Sequence, residues 1–149
     1  MIETVKVNKT ITVPAERLWS AIANIDGLER WFPVIASCNV VGSGVGAKRI
    51  LTLTGGGEMI DIIQLIDHQH RRLQYLRTVL PFPVSHYLGT VAVKVAPEGS
   101  EICWMVEIDV HKDQRGELLG FLRQALTDGV AGLARELLTS TECVGQELS

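Results

Sequence analysis

The run "EICWMVEIDV" (101–110) passes directly into "HKDQRGELLGFLRQALTDGVAGLARELL" (111–138), and the change of period between them organises the chain. In the first run Ile102, Trp104, Val106, Ile108 and Val110 alternate with Cys103, Met105, Glu107 and Asp109, the two-residue repeat of a strand. In the second, Leu118, Leu122, Leu126, Val130, Leu133 and Leu137 recur every three or four positions, predicting one long amphipathic helix over 113–141. Gly116, Gly120, Gly129 and Gly132 interrupt it. Each is less favourable than alanine by roughly 1 kcal/mol, so the helix gives up intrinsic stability for close approach or for space beside it.

Upstream, Val5, Val7, Ile11 and Val13 share one face of a half-buried strand over 3–13. Pro14 opens a helix carrying Ala15, Leu18, Trp19 and Ile22 on one stripe. Asp26 and Glu29 have capping-box spacing, predicting a second short helix that carries Leu28, Trp31 and Phe32 and ends at Pro33. Six strands follow near 34–43, 47–54, 58–67, 72–80, 84–96 and 100–111. The connections "GSGVG", "GGG", "DHQHR", "LPFP" and "APEGS" have turn compositions and are too short for parallel crossovers. The reading is α+β: about seven antiparallel strands in the order β-α-α-β6-α, curved around a long C-terminal helix.

The 149 residues fit one domain, 1–149, with 46% hydrophobic and 21% charged residues. A net charge of −3 gives no basic field, so nucleic acid is not an expected partner. The start "MIETVKVNKT" has no signal-peptide pattern, no apolar run reaches membrane-spanning length, and a cytoplasmic protein without an integral membrane segment is expected. Cys38, Cys103 and Cys143 are too scattered for a disulfide framework or zinc site, and read as reduced, inert thiols. "DHQH" (67–70) lacks a third ligand and reads as an exposed turn; no metal site is expected. "GSGVG" (42–46) runs into a strand instead of a helix, so no dinucleotide cofactor is expected either. "TGGGE" (54–58) joins two strands and has no helix behind it, which makes it a turn rather than a phosphate cradle.

The element order and the strings "VPAERLWSAIANIDGLERWFPVI" (13–35), "GVGAKRILTL" (44–53), "DIIQLIDHQHRRLQY" (61–75) and "EICWMVEIDV" (101–110) resemble the helix-grip superfamily. That superfamily takes in lipid-transfer START domains, Bet v 1-type allergens and polyketide cyclase/dehydrase-like proteins; plant abscisic acid receptors are similar over the same span. The resemblance implies an internal cavity between sheet and helix that holds a small hydrophobic or amphipathic molecule. Carriage of a lipid, polyketide, quinone or isoprenoid is one implied function. A cyclase or dehydratase is a second, and a protein-interaction module a third.

Strand alternation suggests which side chains face such a cavity. Arg49, Leu51 and Leu53 share one face, as do Leu73, Tyr75, Arg77 and Val79, and Tyr87 falls with Val91 and Val93. In 58–67 both faces are apolar; the resemblance selects Asp61 and Ile63, since an acidic residue matching Asp61 lines the receptor pockets. In 101–111, burial alone puts Trp104 inside, whereas matching to the receptors turns Met105, Glu107 and Asp109 inward and leaves Trp104 as an outer stripe. The second alternative is adopted, and the outer stripe makes a homodimer conceivable. Leu122 and Leu126 complete the expected ligand-binding set from the helix. Asp61, Asp109 and Arg77 are the candidate catalytic groups: a carboxylate in a desolvated pocket can act as general base while arginine stabilises an enolate. Gly55, Gly56 and Gly57 match the receptors' gate loop, shorter and without its apolar lid residues, and Pro83 and His86 match a second loop at the pocket mouth.

Overall fold

From β2 onward every turn joining the strands is short, and the sheet is antiparallel throughout. The computed structural model describes residues 1–148, with side chains through Thr139; Cys143 lies outside the described side chains. Strands β1 (Ile2–Ile11), β2 (Ile35–Val41), β3 (Lys48–Leu53), β4 (Glu58–Asp67), β5 (Arg72–Val79), β6 (Val84–Ala96) and β7 (Gly99–Val110) form one sheet. Their order across it is β1-β7-β6-β5-β4-β3-β2. Helix α1 (Ala15–Ala23) and a 3-10 turn (Leu28–Arg30) link β1 to β2; α2 (Arg115–Leu148) follows β7 after a second 3-10 turn. This is the helix-grip architecture, a curved sheet closed by a long C-terminal helix.

Two local readings are corrected. The residues 26–29 do not form a capping box: Asp26 accepts from the neighbouring Gly27 N–H, and Gly27, at φ 80°, is the cap of a single 3-10 turn. In β4 the outer face is apolar in its own right at half-buried Ile60 and Ile62, and simple alternation then fails beyond Ile63 because of a bulge. Met59, Asp61 and Ile63 point into the core, but Ile63 pairs with Tyr75 and Leu65 with Gln74, so Gln64 is the extra residue. After it the parity switches, and Ile66, opposite Leu73, packs on the core.

The core fills the concave side. Val5, Ile102, Val106 and Ile108 come from β1 and β7, Leu18, Trp19 and Ile22 from α1, and Leu122, Leu126, Val130 and Leu133 from α2. Two of the helix glycines allow close approach. A Cβ at Gly129 would lie 2.0 Å from the Phe32 ring, and one at Gly132 would lie 2.3 Å from the Trp31 carbonyl oxygen. The other two, Gly116 and Gly120, face open space. Glu136 ties the same region together, accepting from Arg30 Nε at 2.6 Å and from the Trp31 indole.

Candidate functional site: a cavity and a buried arginine–aspartate–arginine triad

Register alone places three charged residues side by side. Arg49 on β3 and Arg77 on β5 both pair with Asp61 on the strand between them, and all three point to the concave face. Arg77 Nε donates to Asp61 Oδ1 at 2.7 Å and its Nη2 to Oδ2 at 3.2 Å, a two-pronged contact. Arg49 Nε donates to Oδ2 at 3.1 Å; its Nη2 is 3.0 Å from the same oxygen but off the hydrogen-bonding direction, so that nitrogen is left without a bond. Arg49 Nη1 donates to the Ile25 carbonyl at 3.2 Å. Ile25 holds φ 59°, a left-handed conformation that a β-branched residue adopts only under constraint from its surroundings.

Aromatic rings pack on the triad. Arg49 stands 4.8 Å and Arg77 5.3 Å from the Tyr75 ring centre, and Arg77 4.5 Å from that of Tyr87. The Tyr75 hydroxyl accepts from Trp104 Nε1 at 3.0 Å. Gly89, directly opposite Tyr75 on β6, leaves room for this ring: a Cβ there would sit 2.0 Å from Tyr75 Cζ.

Protonation follows from these contacts. Burial works to raise the Asp61 carboxyl, but the Arg77 and Arg49 charges and their hydrogen bonds outweigh it and hold the group below its ordinary value. Burial disfavours the Arg77 cation, yet the Asp61 carboxylate and its hydrogen bonds hold it firmly charged. Both tyrosines are pushed up, chiefly by burial, and stay neutral.

Beside the triad, between sheet and α2, lies a cavity of about 410 Å³. Met59, Tyr75, Arg77, Tyr87 and Trp104 form its sheet wall, Leu28, Phe32, Val34 and Ile35 its end, and Phe121, Leu122, Ala125 and Leu126 its helix wall. Exposed Thr54, Gly55, Gly56, Pro81 and Phe121, with half-buried Phe82, surround the open end. Phe82 and Phe121 meet across it with ring centres 5.4 Å apart. Leu53 also borders this space.

Of the sequence-derived candidates, Leu53, Tyr75, Arg77, Tyr87, Leu122, Leu126, Gly55 and Gly56 line the cavity. Arg49 and Asp61 sit behind the wall, and Leu51, Ile63 and Val91 are core residues that do not reach the cavity. Gly57, at φ 101°, turns the β3–β4 hairpin against Pro81.

The expectation for β7 is overturned. Trp104 points in, so Met105, Glu107 and Asp109 lie on the outer face. There Glu107 contacts His86 Nε2 at 3.1 Å, and Asp109 pairs with the Met1 amino group at 2.7 Å. A one-residue shift in matching reverses every side chain of a strand, and the alternation of the apolar residues is the signal that placed Trp104 correctly. The outer tryptophan stripe invoked for a homodimer is therefore absent. Pro83 and His86 are likewise not at the mouth: Pro83 borders a shallow outer groove, and His86 is on the outer face with Glu107. Pro81 and Phe82, from the same loop, take the position expected of them.

Asp61 is a poor general base, being fully buried, held by both arginines and absent from the cavity wall. Among the described residues no carboxylate lines the cavity. One set of possible metal-ligating atoms, from Asp26, Glu29 and Cys38, clusters within 4.8 Å; its two carboxylates are exposed and one already caps Gly27. The "DHQH" turn is closed on itself, His70 pairing with Asp67 at 2.8 Å and His68 Nδ1 accepting from the Trp19 indole.

An antiparallel sheet wrapped on a long helix, with an apolar cavity between them, defines the helix-grip class. The family described as polyketide cyclase/dehydrase and lipid transport matches residues 3–142, and the chain belongs to it. Among solved structures, an uncharacterised protein from Bacillus thuringiensis superposes with a TM-score of 0.78 at 24% identity, covering 93% of this chain and 99% of its own. Ara h 8.0201 gives 0.77 at 18% identity, again over 93% and 99%. A protein from Nitrosospira multiformis gives 0.76 at 25% identity over 90% and 95%. No curated protein matches in sequence. Among the described residues no helix is long and apolar enough to cross a membrane.

Proposed function

We propose that the chain binds and carries a small hydrophobic or amphipathic molecule in the cavity between the sheet and α2. The observation that carries this reading is the lining itself: about 410 Å³ walled mainly by aliphatic and aromatic side chains, with Arg77 as the single charged group among the described residues. Cavities of a few hundred Å³, mostly apolar with a few convergent polar groups, are the usual form of small-molecule sites. Family membership supports ligand handling in general terms, since its description names both lipid transport and cyclase/dehydrase chemistry. The cavity wall favours the first, because a proton-abstracting carboxylate is missing from it. Native mass spectrometry of gently purified protein tests the reading. A retained adduct of a few hundred daltons, displaced by an added apolar dye, is expected; no adduct and no dye uptake would reject it.

A further inference from the structure

The triad does not balance. Two guanidiniums, Arg49 and Arg77, share one carboxylate, Asp61, and all three are buried. The buried groups around Arg77 do not supply the missing negative charge, and the carboxylates on the Arg49 side, Asp26 and Glu29, are exposed to solvent and do not line the cavity. Tyr75 and Tyr87 are phenols held neutral by burial, and Trp104 contributes only an N–H donor. The opposite wall, from Phe121 to Leu126 on α2, brings only apolar side chains to the cavity. The excess positive charge therefore sits at an apolar wall, where an unpaired charge is most unfavourable.

It is also directed at the cavity. Asp61 takes Nε and Nη2 of Arg77, whereas Arg77 Nη1 makes no hydrogen bond among the described residues, and Arg77 lines the cavity. Arg49 is enclosed behind it and cannot be reached. The protein as a whole carries −3, so the bulk field does not draw anions in; any preference for one must be local.

We propose that the ligand is a singly charged anionic amphiphile, an apolar body with one carboxylate, whose head group takes the free edge of Arg77 and completes a two-cation, two-anion cluster. This rests on the reading of the cavity as a ligand site and adds the charge of the ligand to it. A neutral lipid leaves the excess charge in place, and a doubly charged head group overshoots it.

The test compares decanoate with decanol, matched in chain length, by titration calorimetry at pH 7 below their aggregation concentrations. The expected result is decanoate binding at least tenfold more tightly than decanol. Arg77→Met should lower decanoate affinity at least tenfold more than decanol affinity and so remove the preference, and Arg72→Met, an exposed arginine on the same strand, should leave both affinities unchanged. The comparison of the two ligands on the unaltered protein needs no variant, so it stands even if Arg77→Met fails to fold. Equal affinities, or tighter decanol, would overturn the anionic assignment and leave the apolar site intact. Equal loss of decanoate affinity in both arginine variants would overturn it too, by showing general attraction. Binding of neither compound would reject the cavity as a ligand site, and this proposal with it.

Discussion

Replacing Asp61 by asparagine should be among the most damaging single substitutions in this protein, although the side chain keeps its shape. The carboxylate accepts three bonds from charged donors, at 3.1, 2.7 and 3.2 Å. The amide keeps one oxygen, turns an NH2 toward a guanidinium, and leaves two buried cations without a counter-charge. Removing one partner of a buried ion pair typically destabilises by about 3–5 kcal/mol. With a urea slope of roughly 2 kcal/mol/M for a domain of this size, the unfolding midpoint should fall by about 2 M. Arg49→Met provides the control: it leaves Arg77 and Asp61 as a neutral pair and should cost clearly less. Equilibrium urea unfolding followed by tryptophan fluorescence measures both. A midpoint shift under about 0.5 M for Asp61→Asn, or a larger loss for Arg49→Met, would refute the charge accounting.

Acid should reveal the same group in the unaltered protein. Asp61 is held below its ordinary 3.8, so the unfolded chain binds its proton more readily than the folded one. Its contribution is complete above that value and is lost as pH falls from there through the depressed folded value, which urea unfolding followed from about pH 5 down to about pH 2 would show as a steep acid limb that is shallower in Asp61→Asn. Gly89→Ala should displace the Tyr75 ring and destabilise by about 1–3 kcal/mol, as overpacking does, with ligand affinity lost together with stability in calorimetry. Gly120→Ala, on the helix with open space at its Cβ, should instead stabilise by about 0.5–1 kcal/mol in thermal unfolding. Phe121→Ala opens the Phe82 contact at the mouth and should speed ligand exchange in stopped flow with little change of stability; unchanged rates would remove these rings from the entry path.

Most of the architecture was legible because it rests on local signals. Short Gly- and Pro-rich turns compel antiparallel neighbours, and the switch from a two-residue to a three-to-four-residue period marks where β7 gives way to α2. Arg49, Tyr75, Arg77 and Tyr87 fall on inner strand faces, and alternation placed them there. Two failures have physical causes. The Gln64 bulge switches the parity of β4, so simple alternation puts Ile66, which packs on the core, on the wrong face. In β7, similarity to distant receptors and the apolar alternation point to opposite faces, and a shift of one residue in the matching is enough to carry Glu107 and Asp109 from the outer face to the inner one. Leu28, Phe32, Phe121 and Ala125 reach the cavity only through the docking of α2 and the 3-10 turn against the sheet. No pattern within their own segments encodes that docking. The Gly129 and Gly132 contacts are the one sequence trace of it.

A ligand held between the sheet and α2 would lie beside Trp104. Three indole N–H groups report on it by NMR: Trp104 donates to Tyr75 at the cavity wall, Trp19 to His68 and Trp31 to Glu136. Titration with decanoate should shift the Trp104 indole signal in a saturable way and leave that of Trp19 in place. Saturable binding with an unmoved Trp104 signal would contradict the account.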